Sequence, residues 1–158
     1  MRKKIINVFA KEDYYCFGCS PHNPIGLQLQ FVETEEGIET EWSPRQYCEG
    51  YPGVVHGGIQ ATLMDEIAAW VVYIKVKCSG VTSRLNIKYA KPVDSHQDKV
   101  LLKAKLREVK RSLAYIDVVL INEKEEICAS AEAIYFLIPH DKAVTMNYYP
   151  ECYEDFFE

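Results

Sequence analysis

Apolar and polar positions along the chain change period twice, and those changes outline the elements. Gln28 to Val32 alternates apolar and polar side chains, and Ile38 to Trp42 resumes the alternation after a Glu-Glu-Gly turn, so the two runs predict a hairpin. From about Gly57 to Lys77 the period lengthens to that of a helix. Ile59, Leu63, Ile67, Trp70, Val71 and Ile74 share one face, while Ala61, Met64, Ala68, Ala69 and Val72 fill the other. A helix that is apolar nearly all round predicts burial. Four strand-like runs follow. Val81 to Ala90 stops before Pro92, and Val100 to Val109 precedes a Lys-Arg-Ser turn. Ala114 to Asn122 precedes a Glu-Lys-Glu turn, and Ile127 to Ile138 ends at Pro139. Two strands, one helix and four strands joined by tight turns predict an α+β domain: a mostly antiparallel sheet wrapped around one long central helix.

The remaining segments lack periodicity. Residues 1–15 read as an N-terminal arm; residues 16–27 are turn-rich, with Pro21, Pro24 and Gly26. Residues 43–56 are irregular, and residues 139–158 form an acidic, tyrosine-rich tail. At 158 residues the whole chain, 1–158, is expected to be a single domain. A net charge of -5 argues against nucleic acid as a partner. The N-terminus begins with charge, but its apolar stretch is too short for a signal sequence, and no run is long enough for a membrane span. A cytoplasmic location without membrane association is therefore expected. The six cysteines are expected to be reduced thiols. Cys16 and Cys19 have the spacing of half a metal knuckle, but a tetrahedral site would also need Cys48 or His22. With no second CxxC, the pair is expected to pack as thiols with neither a disulfide nor zinc. His22, His96 and His140 fit no ligand spacing, so no metal or other cofactor is expected.

Between His56 and Lys75 the only charged residues are Asp65 and Glu66. A carboxylate on a buried helix is costly unless it is paired or hydrogen-bonded. Asp65 has Ala61, Ala68 and Ala69 around it, leaving room for a substrate or a second chain. Glu66 lies beside Thr62, Trp70 and Tyr73 and is expected to be tied to a loop amide. His56-Gly57-Gly58 opens the helix, where free N–H groups and the positive dipole end attract an anion. In the following strand, alternation places Thr82, Arg84, Asn86 and Lys88 on one face and Ser83, Leu85, Ile87 and Tyr89 on the other, unless a bulge shifts the register.

The stretch GVVHGGIQATLMDEIAAW, residues 53–70, resembles the signature helix of hot-dog-fold acyl-CoA thioesterases of the PaaI-like group. CFGCSPHNPIGLQLQF resembles the entry segment of one subgroup, and VTSRLNIKYAKPV resembles the strand that crosses the active site. The likeness spans roughly residues 16–138, and the helix motif is its most specific part. It implies the hot-dog fold, with Asp65, nine residues after His56, as the catalytic acid. It also implies Gly57 as the backbone donor to the thioester oxygen and Thr82, four residues before Asn86, as a hydroxyl that holds water. Some relatives carry an asparagine six residues before the histidine; here that position is Gly50. His56, Gly58, Asn86, Arg84 and Lys88 are candidate substrate contacts. Arg84, Lys88, Lys91, Lys110 and Arg111 could meet coenzyme A phosphates or form plain solvated surface. The implied partners are an acyl-CoA and further copies of the chain, as a homodimer or homotetramer with sites between subunits. The competing reading is a non-catalytic acyl-CoA binding or sensor module of the same fold. A hydratase would place its histidine and acid differently. Trp42, Tyr47, Tyr51 and Trp70 could line the acyl pocket or only the core.

Overall fold

The computed structural model describes residues 1–157. Seven strands form one antiparallel sheet: β1 (Lys3–Lys4), β2 (Val32–Glu33), β3 (Ile38–Trp42), β4 (Ser79–Tyr89), β5 (Val100–Lys110), β6 (Leu113–Ile121) and β7 (Ile127–Ile138). Their order across the sheet is β1-β2-β3-β5-β6-β7-β4, which leaves β4 on an edge. Helix α1 (Gly57–Val71) runs on as a π-helical turn, Val72–Val76, and packs against β3 to β7. Lys77, in the left-handed region at φ 60°, ends it and turns the chain into β4. The expected arrangement of one helix within an antiparallel sheet is the one found.

The strand pattern explains the core. Along β6 burial alternates strictly, with Ala114, Ile116, Val118 and Leu120 inward. These share one buried core with Leu63, Met64, Ile67, Trp70 and Val71 of α1, all 1% exposed or less. Two positions depart from the sequence expectation. The run Gln28 to Val32 keeps its alternation, with Leu29 and Phe31 buried, but only Val32–Glu33 joins a ladder, against Ile38 and Glu39. Gln28, at φ 54°, breaks the extended run, and Leu29 N–H donates to Gly18 C=O instead of to β3. The N-terminal arm is also part of the sheet: Lys3 and Lys4 pair with Glu33 and Val32, and Ile5 is buried.

The acidic tail folds back on the end of the helix. It begins with a short helix, α2 (His140–Thr145). Tyr149 OH donates to Tyr73 C=O at 3.0 Å and Tyr153 OH to Ile74 C=O at 3.3 Å, so two tail phenols satisfy carbonyls of the π turn. Phe156 is fully buried among Phe9, Trp70, Tyr73 and Tyr149. Glu158 lies outside the described residues.

Candidate active site

Asp65 is half-buried on α1, facing β4 and β7. Thr82 Oγ1 donates to its Oδ1 at 3.0 Å, and Tyr135 OH donates to the same oxygen at 2.6 Å. The phenol also lies 2.8 Å from the Asp65 carbonyl oxygen. Among the described residues Oδ2 has no hydrogen bond. One carboxylate oxygen is thus pinned and the other is open, the arrangement a nucleophile or general base needs. Burial, and then the charge of Asp65, push the Tyr135 phenol well above its ordinary range, so it remains a donor.

A bulge delivers Thr82 to this place. β4 pairs Thr82 with Tyr135 and Arg84 with Ile134, so Ser83 is an extra residue between them. Thr82 therefore shares the helix-facing side with Leu85 and Ile87, and Arg84, Asn86 and Lys88 turn to the outer face. Simple alternation, which groups Thr82 with those three, is corrected by the bulge. Asn86 and Lys88 line a shallow outer hollow with Asp117, Ser130 and Glu132, away from Asp65. Tyr135, in an apolar strand, has no sequence signal that sets it apart.

The other half of the expected site lies at the helix N-terminus. His56 is its cap: Gly58 N–H donates to His56 Nδ1 at 2.8 Å, and Ile59 and Gln60 N–H donate to His56 C=O. Among the described residues the Gly57 N–H has no acceptor. Tyr89 OH donates to Gly57 C=O at 2.7 Å and steadies the first peptide. An open hollow of about 510 Å³ adjoins it, lined by Glu49, Gly50, Tyr51, Val54, Val55, His56 and Gly57. At Gly50 a Cβ would lie 3.4 Å from His56 Cα and Cδ2, an ordinary contact distance, so the cap leaves room for a Cβ there.

Asp65 and Gly57 are eight residues apart, and eight residues of helix rise about 12 Å. One chain therefore holds two half-sites: Asp65 with Thr82 and Tyr135, and Gly57 with His56 and Gly58. Of the aromatic candidates, Trp42 and Trp70 are buried in the core, while Tyr47 and Tyr51 are almost fully exposed. Lys91 pairs with Glu126, and Lys110 and Arg111 lie at the exposed tip of the β5–β6 hairpin. Glu66, one residue beyond Asp65, points about 100° further round the helix, toward Cys16 and Trp70. It accepts from Trp70 Nε1 at 3.2 Å and meets the Cys16 thiol, where a loop amide was expected. Cys16, Cys19 and Glu66 are the one group of side chains, among the described residues, with a metal-ligand arrangement.

Residues 52–129 match the family profile of the Thioesterase superfamily. No curated protein sequence matches the chain. Among solved structures, a thioesterase superfamily protein aligns with TM-score 0.70 and 20% identity over 77% of this chain and 62% of its own. The chain thus spans less than two thirds of that relative. A hypothetical thioesterase from Streptococcus pneumoniae, solved with coenzyme A, aligns with TM-score 0.64 and 24% identity over 71% of this chain and 87% of its own. A protein from Streptococcus mutans UA159, bound to acetyl CoA, aligns with TM-score 0.67 and 22% identity over 82% and 97%. At these identities the structural likeness is one of fold. Together with the profile match, it identifies the chain as a hot-dog-fold protein resembling the thioesterase superfamily.

Proposed function

We propose that this protein is an acyl-CoA thioesterase of the PaaI-like group, acting as a homodimer or as a tetramer built from such dimers. The observation that carries the reading is the Asp65 carboxylate, oriented by Thr82 and Tyr135 with one oxygen free. The Gly57 N–H at a capped helix start is the matching electrophilic element. It would hold the thioester oxygen as charge develops there, an effect typically worth about 10²–10³ in rate. Asp65 either attacks the carbonyl carbon or takes a proton from the attacking water. In both cases the carbon–sulfur bond breaks, coenzyme A leaves as the thiol, and the acyl group leaves as a carboxylic acid.

On this reading the two elements come from different chains, because about 12 Å of helix separates them within one. β4 runs antiparallel to α1: Thr82 touches Asp65 near its start, and Tyr89 touches Gly57 at its end. A two-fold axis through the middle of this free edge would pair β4 with its copy. The Asp65 end of one chain would then lie against the partner's Gly57. The edge is 11 residues long, an open ladder that calls for such cover.

The test is a panel of acyl-CoAs followed by free-thiol release, with wild type beside Asp65→Asn. Asn keeps the shape but cannot act as nucleophile or base. Turnover should fall by about 10²–10⁴ or more, with acyl-CoA affinity and fold retained. Wild-type turnover in folded Asp65→Asn would refute the role. Gly50, where some relatives carry asparagine, favours the binding-module reading. That reading predicts acyl-CoA binding without hydrolysis by the wild type across the panel.

A further inference from the structure

Cys16, Cys19 and Glu66 come from two distant parts of the chain. The first two flank Phe17-Gly18 in the turn-rich entry segment, and the third projects from the middle of α1. Their ligand atoms all lie within 4.8 Å of one another. Cys16 Sγ is 3.6 Å from both carboxylate oxygens of Glu66. In a tetrahedral zinc site, Zn–S near 2.3 Å and Zn–O near 2.0 Å place neighbouring sulfur and oxygen about 3.5 Å apart. The spacing thus already suits an ion at the centre. The close approach is built in: at Gly18 a Cβ would lie 2.3 Å from Glu66 Oε2, so the residue between the cysteines must be bare.

The surroundings also hold the ligand atoms in place. Asn7 Nδ2 and Tyr14 OH each lie 3.4 Å from Cys19 Sγ, the kind of outer contact that orients a ligand. Among the described residues the Glu66 carboxyl meets Cys16 and Trp70 and no basic side chain. Two thiols and an acid with no neighbouring cation are a poor arrangement when ionised and a good one around a divalent ion.

We propose that Cys16, Cys19 and Glu66 bind one thiophilic divalent metal ion, zinc in the first instance, which ties the entry segment to the central helix. Sulfur donors select zinc over calcium or magnesium. Binding releases the thiol protons, and any proton on Glu66, to solvent. A solvent molecule completes a tetrahedral set. Cys16 is only half-buried, which gives the ion a way in. Cys48 and His22, one of which a tetrahedral site would need on sequence spacing alone, have no part in the cluster, and a metal here departs from the expectation of unmetallated thiols.

The experiment uses untagged full-length protein purified without chelators. Elemental analysis should find one zinc per chain. After chelation, added cobalt(II) should give a sulfur-to-cobalt charge-transfer band in the near ultraviolet. Cys16→Ser and Glu66→Gln should weaken binding by more than the roughly 10–100-fold that a lost outer-shell partner costs. Cys48→Ser and Cys152→Ser should leave it unchanged. Added zinc should raise the melting temperature of the chelated wild type and not that of Cys16→Ser, the half-buried position that spares the core if Cys19→Ser fails to fold. Absence of both zinc and the cobalt band, the same band in Cys16→Ser, or a Cys16–Cys19 disulfide in the isolated protein would each overturn the proposal. None of these readouts depends on thioester hydrolysis.

Discussion

Two hydroxyls on one carboxylate oxygen fix the direction in which Asp65 presents the other. Hydrogen bonds to charged groups are worth about 1.5–3 kcal/mol, so Tyr135→Phe should lower kcat by roughly 10–100-fold. Thr82→Ala should act in the same direction, and the double variant should lose less than the product, because both donors serve one atom. Ser83→Ala, at the bulge and away from Asp65, should be nearly silent. Steady-state kinetics on folded variants decides. If Ser83→Ala cost more than Thr82→Ala, the assigned register would be wrong. This residue scale was only half legible in the sequence. Asp65 stood out because a carboxylate is rare on a buried helix, and the resemblance pointed to Thr82. A bulge, however, is a property of two strands together. Tyr135 was hidden because a tyrosine in an apolar strand has no local signature.

At the scale of elements, periodicity found α1 and the four long strands, since each buries one continuous face. It missed β1 and the tail, whose places depend on docking to distant segments. Phe156 illustrates this: fully buried against the helix end, it belongs to a segment with no apolar period. Phe156→Ala should cost about 3–5 kcal/mol, read as a lower midpoint in denaturant unfolding, and a neutral result would show that the tail is not part of the core. A second test concerns the edge formed by β1 to β3. Burial alone would push the Glu39 carboxyl up, but the Arg2 and Lys103 side chains beside it outweigh that and hold it below its ordinary 4.5. A depressed carboxyl stabilises the fold above its unfolded value and loses that contribution as pH falls through the folded one. Glu39→Gln should therefore melt lower than wild type at neutral pH, and the difference should close in acid. The effect should be small, because Arg2 and Lys103 are largely solvated. A difference that widens in acid would reverse the assignment.

At the scale of the molecule, the helix that carries both proposed catalytic elements also keeps them apart, and this allows a decisive test of assembly. Gly57 is the first residue of α1, the position where proline is best tolerated, and His56 before it is extended at φ -56° and ψ 137°. A Cβ at Gly57 meets nothing closer than 3.6 Å. Gly57→Pro should therefore remove one N–H while leaving the helix in place. Alone, Gly57→Pro and Asp65→Asn should both be folded and nearly inactive. Mixed through denaturation and refolding, half of the dimers should be hybrids, each with one site in which Asp65 of the first chain meets the second chain's intact Gly57. Activity should then recover to about one quarter of wild type, because half of the dimers carry one intact site of two. Monomers, or dimers whose sites each lie within one chain, would recover nothing. Recovery would thus place the catalytic unit across two chains, and its absence in a mixture shown by mass to contain hybrids would remove the interface site.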